Sequence, residues 1–245
     1  MIPSENNDRL EQVRGMFARI AGRYDLLNRL MTFGRDRAWR REVVQRLLPR
    51  AGTRVLDAGS GTGDLALEIL RRQPGTSVTA ADLTIEMVKI GRTRPGGAQV
   101  HWVVADAQHL PFLARAFNGV VSGYLLRNVP DVTQTLAEQE RVSAPGARFV
   151  ALDTTPPRRN LIYPFMKFYL RRVIPAVGTL ITGDSAAYRY LPETTEHFLS
   201  AEALAEKVSA AGFSEVRFRR RMFGSMAIHW GKKLNELVQD DPSGE

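Results

Sequence analysis

The chain has no cysteine, no apolar run long enough to cross a bilayer and no two histidines at helical ligand spacing. Each absence removes a chemistry. Without thiols there is no disulfide scaffold, thiolate zinc site, iron–sulfur cluster or cysteine nucleophile. The most apolar stretch, Leu161 to Val177, is interrupted by Pro164, Lys167, Arg171, Arg172 and Pro175, well short of the ~20 apolar residues a span needs. His101, His109, His197 and His229 stand apart, so no metal site is expected. There is no GxSxG and no P-loop. The first ten residues are polar and show no leader, and no internal repeat is visible.

What is present reads as one globular unit over residues 1–245. With 44% hydrophobic residues, a chain this long buries roughly 70–75% of its unfolded surface and needs no cross-link. The 34 basic and 26 acidic residues give a net charge of +8, which favours an anionic partner. No nucleic-acid module accompanies that charge, so no nucleic-acid partner is expected.

Residues 1–50 carry apolar stripes at helical spacing: Val13, Met16, Phe17 and Ile20, then Leu26, Leu27, Leu30 and Met31, then a third helix from Asp36 to the stop at Pro49. They predict a helical cap. Residues 51–155 alternate short apolar runs with ten-residue helical patterns, predicting five strands in βαβ units and a parallel sheet. Residues 156–199 form an aromatic helical insertion. In 200–235 a helix with Ser200 as N-cap precedes two strands, Phe213 to Arg221 and Met226 to Trp230, that predict an antiparallel hairpin. The whole is a seven-stranded, mostly parallel Rossmann-like sheet.

The densest chemical signal follows the first strand: Asp57-Ala58-Gly59-Ser60-Gly61-Thr62-Gly63-Asp64. Such a turn lets backbone approach a ligand and aims the next helix's free amides at it. It lacks the GxGxxG spacing of dinucleotide sites. Asp82, at the end of the second strand, is placed to take both hydroxyls of a ribose. Asp106, at the end of the third, reads an adenine amino group or caps the segment after it. An adenosyl group without phosphates fits better than a dinucleotide, which makes S-adenosylmethionine the expected cofactor. Asp57 either holds the loop's amides or faces the cofactor's amine. Arg127 and Asn128 sit on the lip beyond the fourth strand, where an arginine stabilises an oxyanion. His197 is either a ring contact and proton acceptor or a structural histidine.

Arg217, Arg219 and Arg221 fall on one strand face and predict a positive patch: a solvated edge, a membrane contact or a nucleic-acid contact. The insertion, Leu161 to Leu170, is expected to wall an apolar pocket, lie on lipid or pack on the sheet.

Four segments together resemble the menaquinone and ubiquinone biosynthesis C-methyltransferases: Phe17, Ile20, Ala21, Tyr24, Asp25 and Asn28 leading to Met31-Thr32-Phe33-Gly34, Arg37, Trp39 and Arg40; Leu56 to Asp64; Gly123 to Asn128; and Ser185 to Pro192. The resemblance implies a class I methyltransferase fold and methyl transfer to a ring carbon of a polyprenylated quinol, demethylmenaquinol first, or of another small aromatic or lipid-like acceptor. It implies cofactor contacts at Asp57, Gly59, Gly61, Thr62, Gly63, Asp64, Asp82, Leu83, Asp106 and Ala107. Arg127, Asn128 and His197 take the catalytic positions. Tyr24, Asn28, Phe33 and Arg37 of the cap, with Tyr124, Tyr188 and Tyr190, take the acceptor side. Tyr124 stands where the family carries a smaller or phenylalanine-like residue, and Asp153 where it often carries glutamate. The implied setting is cytoplasmic, with a transient peripheral contact at the membrane's inner face, and a homodimer is left open.

Overall fold

Apolar runs without polar alternation, such as Val120-Val121 and Phe149 to Leu152, need cover on both faces of a sheet. The computed structural model describes residues 3–48, 50–157, 161, 163–182, 194, 195 and 197–235. In it, strands β1 (Arg54–Ala58), β2 (Ser77–Asp82), β3 (His101–Val104), β4 (Phe117–Gly123), β5 (Ser143–Thr154), β6 (Phe213–Arg221) and β7 (Met226–Lys233) form one sheet in the order β3-β2-β1-β4-β5-β7-β6. Only β7 runs against its neighbours. The sheet is the Rossmann-like arrangement expected, with the hairpin at one edge.

Helices α1 (Pro3–Ile20), α2 (Tyr24–Met31) and α3 (Asp36–Leu47) precede the sheet; α4 (Asp64–Arg72), α5 (Ile85–Thr93) and α6 (Val132–Val142) are crossovers. On one face Val55, Val121, Val150 and Leu152 pack with Trp39, Val43, Val44 and Leu47 of α3 and with Leu65, Ala66 and Ile69 of α4. The other face holds Leu56 and Val120 against Leu110, Phe117 and Val142. Beside them Phe149 and Ala151 meet Leu136, Leu204, Val208 and Phe213. Each buried Val, Leu, Ile or Phe among them contributes about 1.5–3 kcal/mol by leaving water. Within the expected cap, therefore, α3 belongs to the core of the sheet, while α1 and α2 form the cap proper around Met16, Ile20 and Leu27. Leu26 and Leu30, read as part of an inward stripe, are 49% and 44% exposed.

Helix α9 (Ala201–Ala210) starts where Ser200 Oγ accepts from the Ala203 amide at 3.1 Å, as its cap residue predicts. The insertion runs through α7 (Tyr163–Phe168), a π turn (Tyr169–Val173) and α8 (Ile174–Thr182). Its Met166, Tyr169, Leu170 and Ile174 turn inward against Met31 and Met222. Among the described residues no helix is long and apolar enough to cross a membrane.

The positive patch expected from three arginines on one face of β6 is narrower than that. Arg217 and Arg219 are exposed, but Arg221 pairs with Glu42 of α3 and Arg220 with Glu202 at 2.6 Å. The strand's last turn brings these two onto helices that carry acids.

Candidate active site

The strand order reverses between β1 and β4, so the loops leaving their carboxyl ends part there and open a crevice. Gly59 lets those loops touch: a Cβ on it would lie 2.6 Å from Leu125 Cδ1. Gly63, at φ +82°, caps α4 with Trp102 so close that a Cβ would meet the ring at 2.4 Å. Asp82 then ties the turn down. Its Oδ2 accepts from the Gly61 amide at 2.7 Å and its Oδ1 from the Thr84 amide at 2.8 Å. Burial pushes its carboxyl above the usual range. Asp106 accepts from the Gln108 amide at 2.9 Å, so it caps its own segment while still bordering the crevice.

Two cavities meet at this point. The first, about 670 Å³ including space open to solvent, is bordered by Gly59, Gly61, Asp82, Leu83, Asp106, Ala107, Tyr24, Tyr124 and Asn128, with Val13, Arg14 and Phe17 of α1 closing over it. A smaller recess shares Tyr24, Gly59, Gly61 and Tyr124 with it and adds Asp57, Thr62 and Arg40. Asp57 is wholly buried. One of its oxygens accepts from the Ala66 amide at 3.0 Å, and the other has no hydrogen-bond partner among the described residues. Burial carries its pKa up to about 7. A nucleoside cradle with a buried orphan carboxylate oxygen at one end matches a ligand that is adenosine at one end and a cationic amine at the other.

The second cavity, about 520 Å³ including open space, is bordered by Asn28, Met31, Thr32, Tyr124, Arg127, Thr154, Leu170, Ile174, Thr195, Met222, Ser225 and Met226. Tyr124 borders both, held at φ +60°, and burial raises its phenol far above its ordinary value. Arg127 lies with its guanidinium carbon 5.7 Å from that ring's centre. Asp153 stands behind it, Oδ1 at 3.6 Å from Arg127 Nε, with its pKa lifted to about 6 by burial against the pull of that arginine. Tyr124 Oη, Arg127 Nε and Thr154 Oγ1 are buried and have no hydrogen-bond partner among the described residues.

Of the expected cofactor contacts, Gly59, Gly61, Asp82, Leu83, Asp106 and Ala107 border the first cavity and Asp57 and Thr62 the recess. Gly63 supports the turn from behind. Asp64 borders the recess too, but its carboxylate is taken by Arg40 of α3 and by Arg94 Nη2 at 2.6 Å. Thr62 donates to Asp25 of α2 at 2.7 Å, and Arg94 reaches Asp25 at 3.2 Å. These two loop residues dock the cap. Asp25, Arg40 and Arg94 were missed as site residues, although charges on an otherwise buried helix face at Asp36 and Arg40 signalled an ion pair (3.6 Å).

Arg127 and Asn128 part company: Asn128 faces the first cavity and donates to the Tyr124 carbonyl at 2.6 Å. Asn28 borders the second cavity and Tyr24 the first. Phe33 and Arg37 border neither. Phe33 is 70% exposed and stacks on Tyr169 at 5.3 Å, and Arg37 is exposed on an open groove. His197 is exposed and borders neither cavity; in its segment Thr195 is the residue that does. Tyr188 and Tyr190 lie outside the described residues. Among the described residues no cluster of metal ligands occurs.

Comparison with known proteins follows the same line. A demethylmenaquinone methyltransferase of Thermus thermophilus is 45% identical over 220 residues, 89% of this chain and 100% of that one. A ubiquinone/menaquinone biosynthesis C-methyltransferase of Desulfotalea psychrophila is 47% identical over 221 residues, 90% of each. Among solved structures the [4+2]-cyclase SpnF superposes with a TM-score of 0.66 over 91% of this chain and 96% of its own, at 17% identity, a likeness of fold alone. The family profile described as ubiE/COQ5 methyltransferase matches residues 4–233. With nearly the whole sequence matched and the nucleoside cradle in place, the chain belongs to the ubiE/COQ5 methyltransferase family and is an S-adenosylmethionine-dependent methyltransferase.

Proposed function

We propose that the chain methylates a ring carbon of a polyprenylated quinol, converting demethylmenaquinol to menaquinol, with the ring in the second cavity. The observation that carries this reading is the pair of buried polar atoms without a hydrogen-bond partner among the described residues, Tyr124 Oη and Thr154 Oγ1, which with Arg127 belong to the border of a cavity that Met31, Leu170, Ile174, Met222 and Met226 make mostly apolar beside Asn28, Thr32, Thr195 and Ser225. A buried polar atom without a partner costs about 1–3 kcal/mol. Two such atoms and a guanidinium on one mostly apolar cavity fit a flat apolar ring that brings oxygen atoms. The two relatives named for quinone biosynthesis support the same acceptor class.

S-adenosylmethionine, when bound, supplies an electrophilic methyl group, so the protein's task is to raise the ring's nucleophilicity and exclude water. Arg127 stabilises the negative charge that grows on a ring oxygen as its hydroxyl proton passes to water and the adjacent carbon becomes nucleophilic; once methylated, that carbon gives up its own proton to water as the ring regains aromaticity. The arginine stays charged and cannot act as base. Asp153 holds the guanidinium from behind. Tyr124, bordering both cavities, orients the ring and donates to its oxygen. Asp57 would hold the amine end of the cofactor, Asp82 its ribose and Asp106 its adenine. Asp64 and Thr62 act at one remove, by docking the cap through Arg40, Arg94 and Asp25. An isoprenoid acceptor resides in membrane, so the enzyme works from the cytoplasm at the inner face of an anionic bilayer, in transient contact with it.

Incubation with methyl-labelled cofactor and a choice of reduced demethylated naphthoquinone, soluble monophenols and amines tests the reading. Label is expected in the naphthoquinol. Label in a phenol or amine with none in the naphthoquinol refutes it.

A further inference from the structure

Three segments far apart in sequence end beside the second cavity, and each exposes a large aromatic residue within two positions of a residue bordering it. Phe33, 70% exposed, follows Met31; Phe168, 59% exposed, precedes Leu170; Phe223, 58% exposed, follows Met222. Their proximity is direct. Phe33 stacks on Tyr169 at 5.3 Å, Tyr169 donates to the Met31 carbonyl at 2.8 Å, and Met222 packs against Met166, Tyr169 and Leu170. On the insertion Phe165 and Phe168 of α7 are exposed, as is Leu161 before it, whereas Met166, Tyr169 and Ile174 are buried.

Phe33 and Phe223 also sit at φ +53° and +54°, a left-handed conformation that disfavours bulky side chains. Burial of their rings does not offset that strain, so the fold holds two aromatic rings outward at a cost. In sequence the three aromatic segments carry bases and no acids, while the fourth segment bordering the cavity, at Thr195, is flanked by Glu193 and Glu196, and Arg221 beside Met222 is paired with Glu42. No acidic residue lies between Asp25 and Asp36, between Asp153 and Asp184 or between Glu215 and Glu236, whereas Arg29, Arg35, Lys167, Arg172, Arg217 and Arg219 do. A second copy of this chain docked by symmetry would set those like charges against each other. An anionic lipid surface offers the complement to both features, acyl chains for the rings and headgroups for the cations.

We propose that this rim of exposed aromatics with its basic neighbours is the membrane-docking face of the protein, seating the second cavity against the bilayer from which the acceptor enters. The inference rests on the proposed function for the acceptor's identity alone; the aromatic and charge pattern stands without it.

The test is co-sedimentation of the full chain with phosphatidylglycerol-containing and with pure phosphatidylcholine vesicles. Wild type is compared with a Phe165→Ser/Phe168→Ser/Phe223→Ser triple variant and a Lys167→Glu/Arg172→Glu double variant. None of these side chains borders either cavity. Wild type binds the anionic vesicles, more weakly as salt rises, and each variant loses ~10-fold or more in vesicle affinity. Melting temperature and turnover of a water-soluble short-tailed quinol stay at the wild-type level, while KM for a long-tailed quinol in vesicles rises. Equal vesicle binding by wild type and both variants overturns the proposal. So does a wild-type dimer in sedimentation velocity that the triple variant dissolves, since the face is then a self-contact. If wild type fails on the short-tailed quinol but binds vesicles through these residues, the acceptor assignment fails and the docking face stands.

Discussion

Replacing Tyr124 by phenylalanine separates stability from catalysis in a way few substitutions do. Its hydroxyl is buried and has no hydrogen-bond partner among the described residues, and the surrounding burial raises its pKa. A polar atom in that state costs about 1–3 kcal/mol. Phenylalanine keeps the ring, its packing and its place 5.7 Å from the Arg127 guanidinium carbon, and removes the cost. The free chain should gain about 1–2 kcal/mol, which for a domain of this size is a rise of roughly 2–8 °C in Tm. Methyl transfer moves the other way. A hydrogen bond to a ring oxygen carrying growing negative charge is worth about 1.5–3 kcal/mol, so kcat should fall by roughly 10–100-fold. Melting curves without ligand and single-turnover transfer to a short-tailed quinol read the two effects independently. A variant that melts lower, or transfers as fast as wild type, shows that the hydroxyl is not held in reserve for the acceptor.

Arg127→Ala should lower kcat by ~10²–10³ and leave cofactor affinity, by calorimetry, within about twofold; lost cofactor binding would place the arginine in the other cavity. Asp57, with its pKa raised to about 7, retains a proton in the folded chain that the unfolded chain has already released, so its share of stability is full near pH 4 and lost as pH rises through 7. Asp153, raised to about 6, acts in the same sense. His229, lowered to about 4 by burial, acts in the opposite sense: its share is full above its ordinary pKa near 6.5 and lost as pH falls through 4. Between pH 6.5 and 7.5 Asp57 is in mid-titration while Asp153 and His229 contribute smaller changes of opposite sign, so the difference between wild type and Asp57→Asn reports Asp57. Wild-type Tm should decline across that range and that of Asp57→Asn should stay flatter; parallel curves count against the buried acid. Gly63→Ala forces a Cβ to 2.4 Å from Trp102 at φ +82° and should cost about 2–4 kcal/mol in urea unfolding, whereas a neutral result would mean that the ring moves freely.

The parts of this site that were legible in the sequence are those built from one segment at a time. Gly59, Gly61 and Asp82 announce themselves because a glycine turn and a strand-end carboxylate are local patterns with a fixed place in an α/β sheet. Arg127 was legible for the same reason. Asn128 was read with it, but the structure places it on the first cavity and Arg127 on the second. Thr154, Thr195, Met222 and Ser225 converge on the second cavity from three distant segments, and no spacing within any one of them signals it. Thr62 and Asp64 lie in the most recognisable motif of the chain, yet their side chains serve the cap, since Asp25, Arg40 and Arg94 arrive from elements whose position only the fold decides. Phe33 was expected against the acceptor and instead stands outside, beside Tyr169.

The central claim is that the methyl group passes to a ring carbon across Tyr124. Its most direct test is the product formed with cofactor carrying a trideuterated methyl and a reduced demethylated naphthoquinone, read by mass and by NMR. The account predicts a product heavier by one trideuteromethyl in exchange for one ring proton, with the label on carbon and both ring oxygens free. Label on oxygen with the ring proton intact would contradict it.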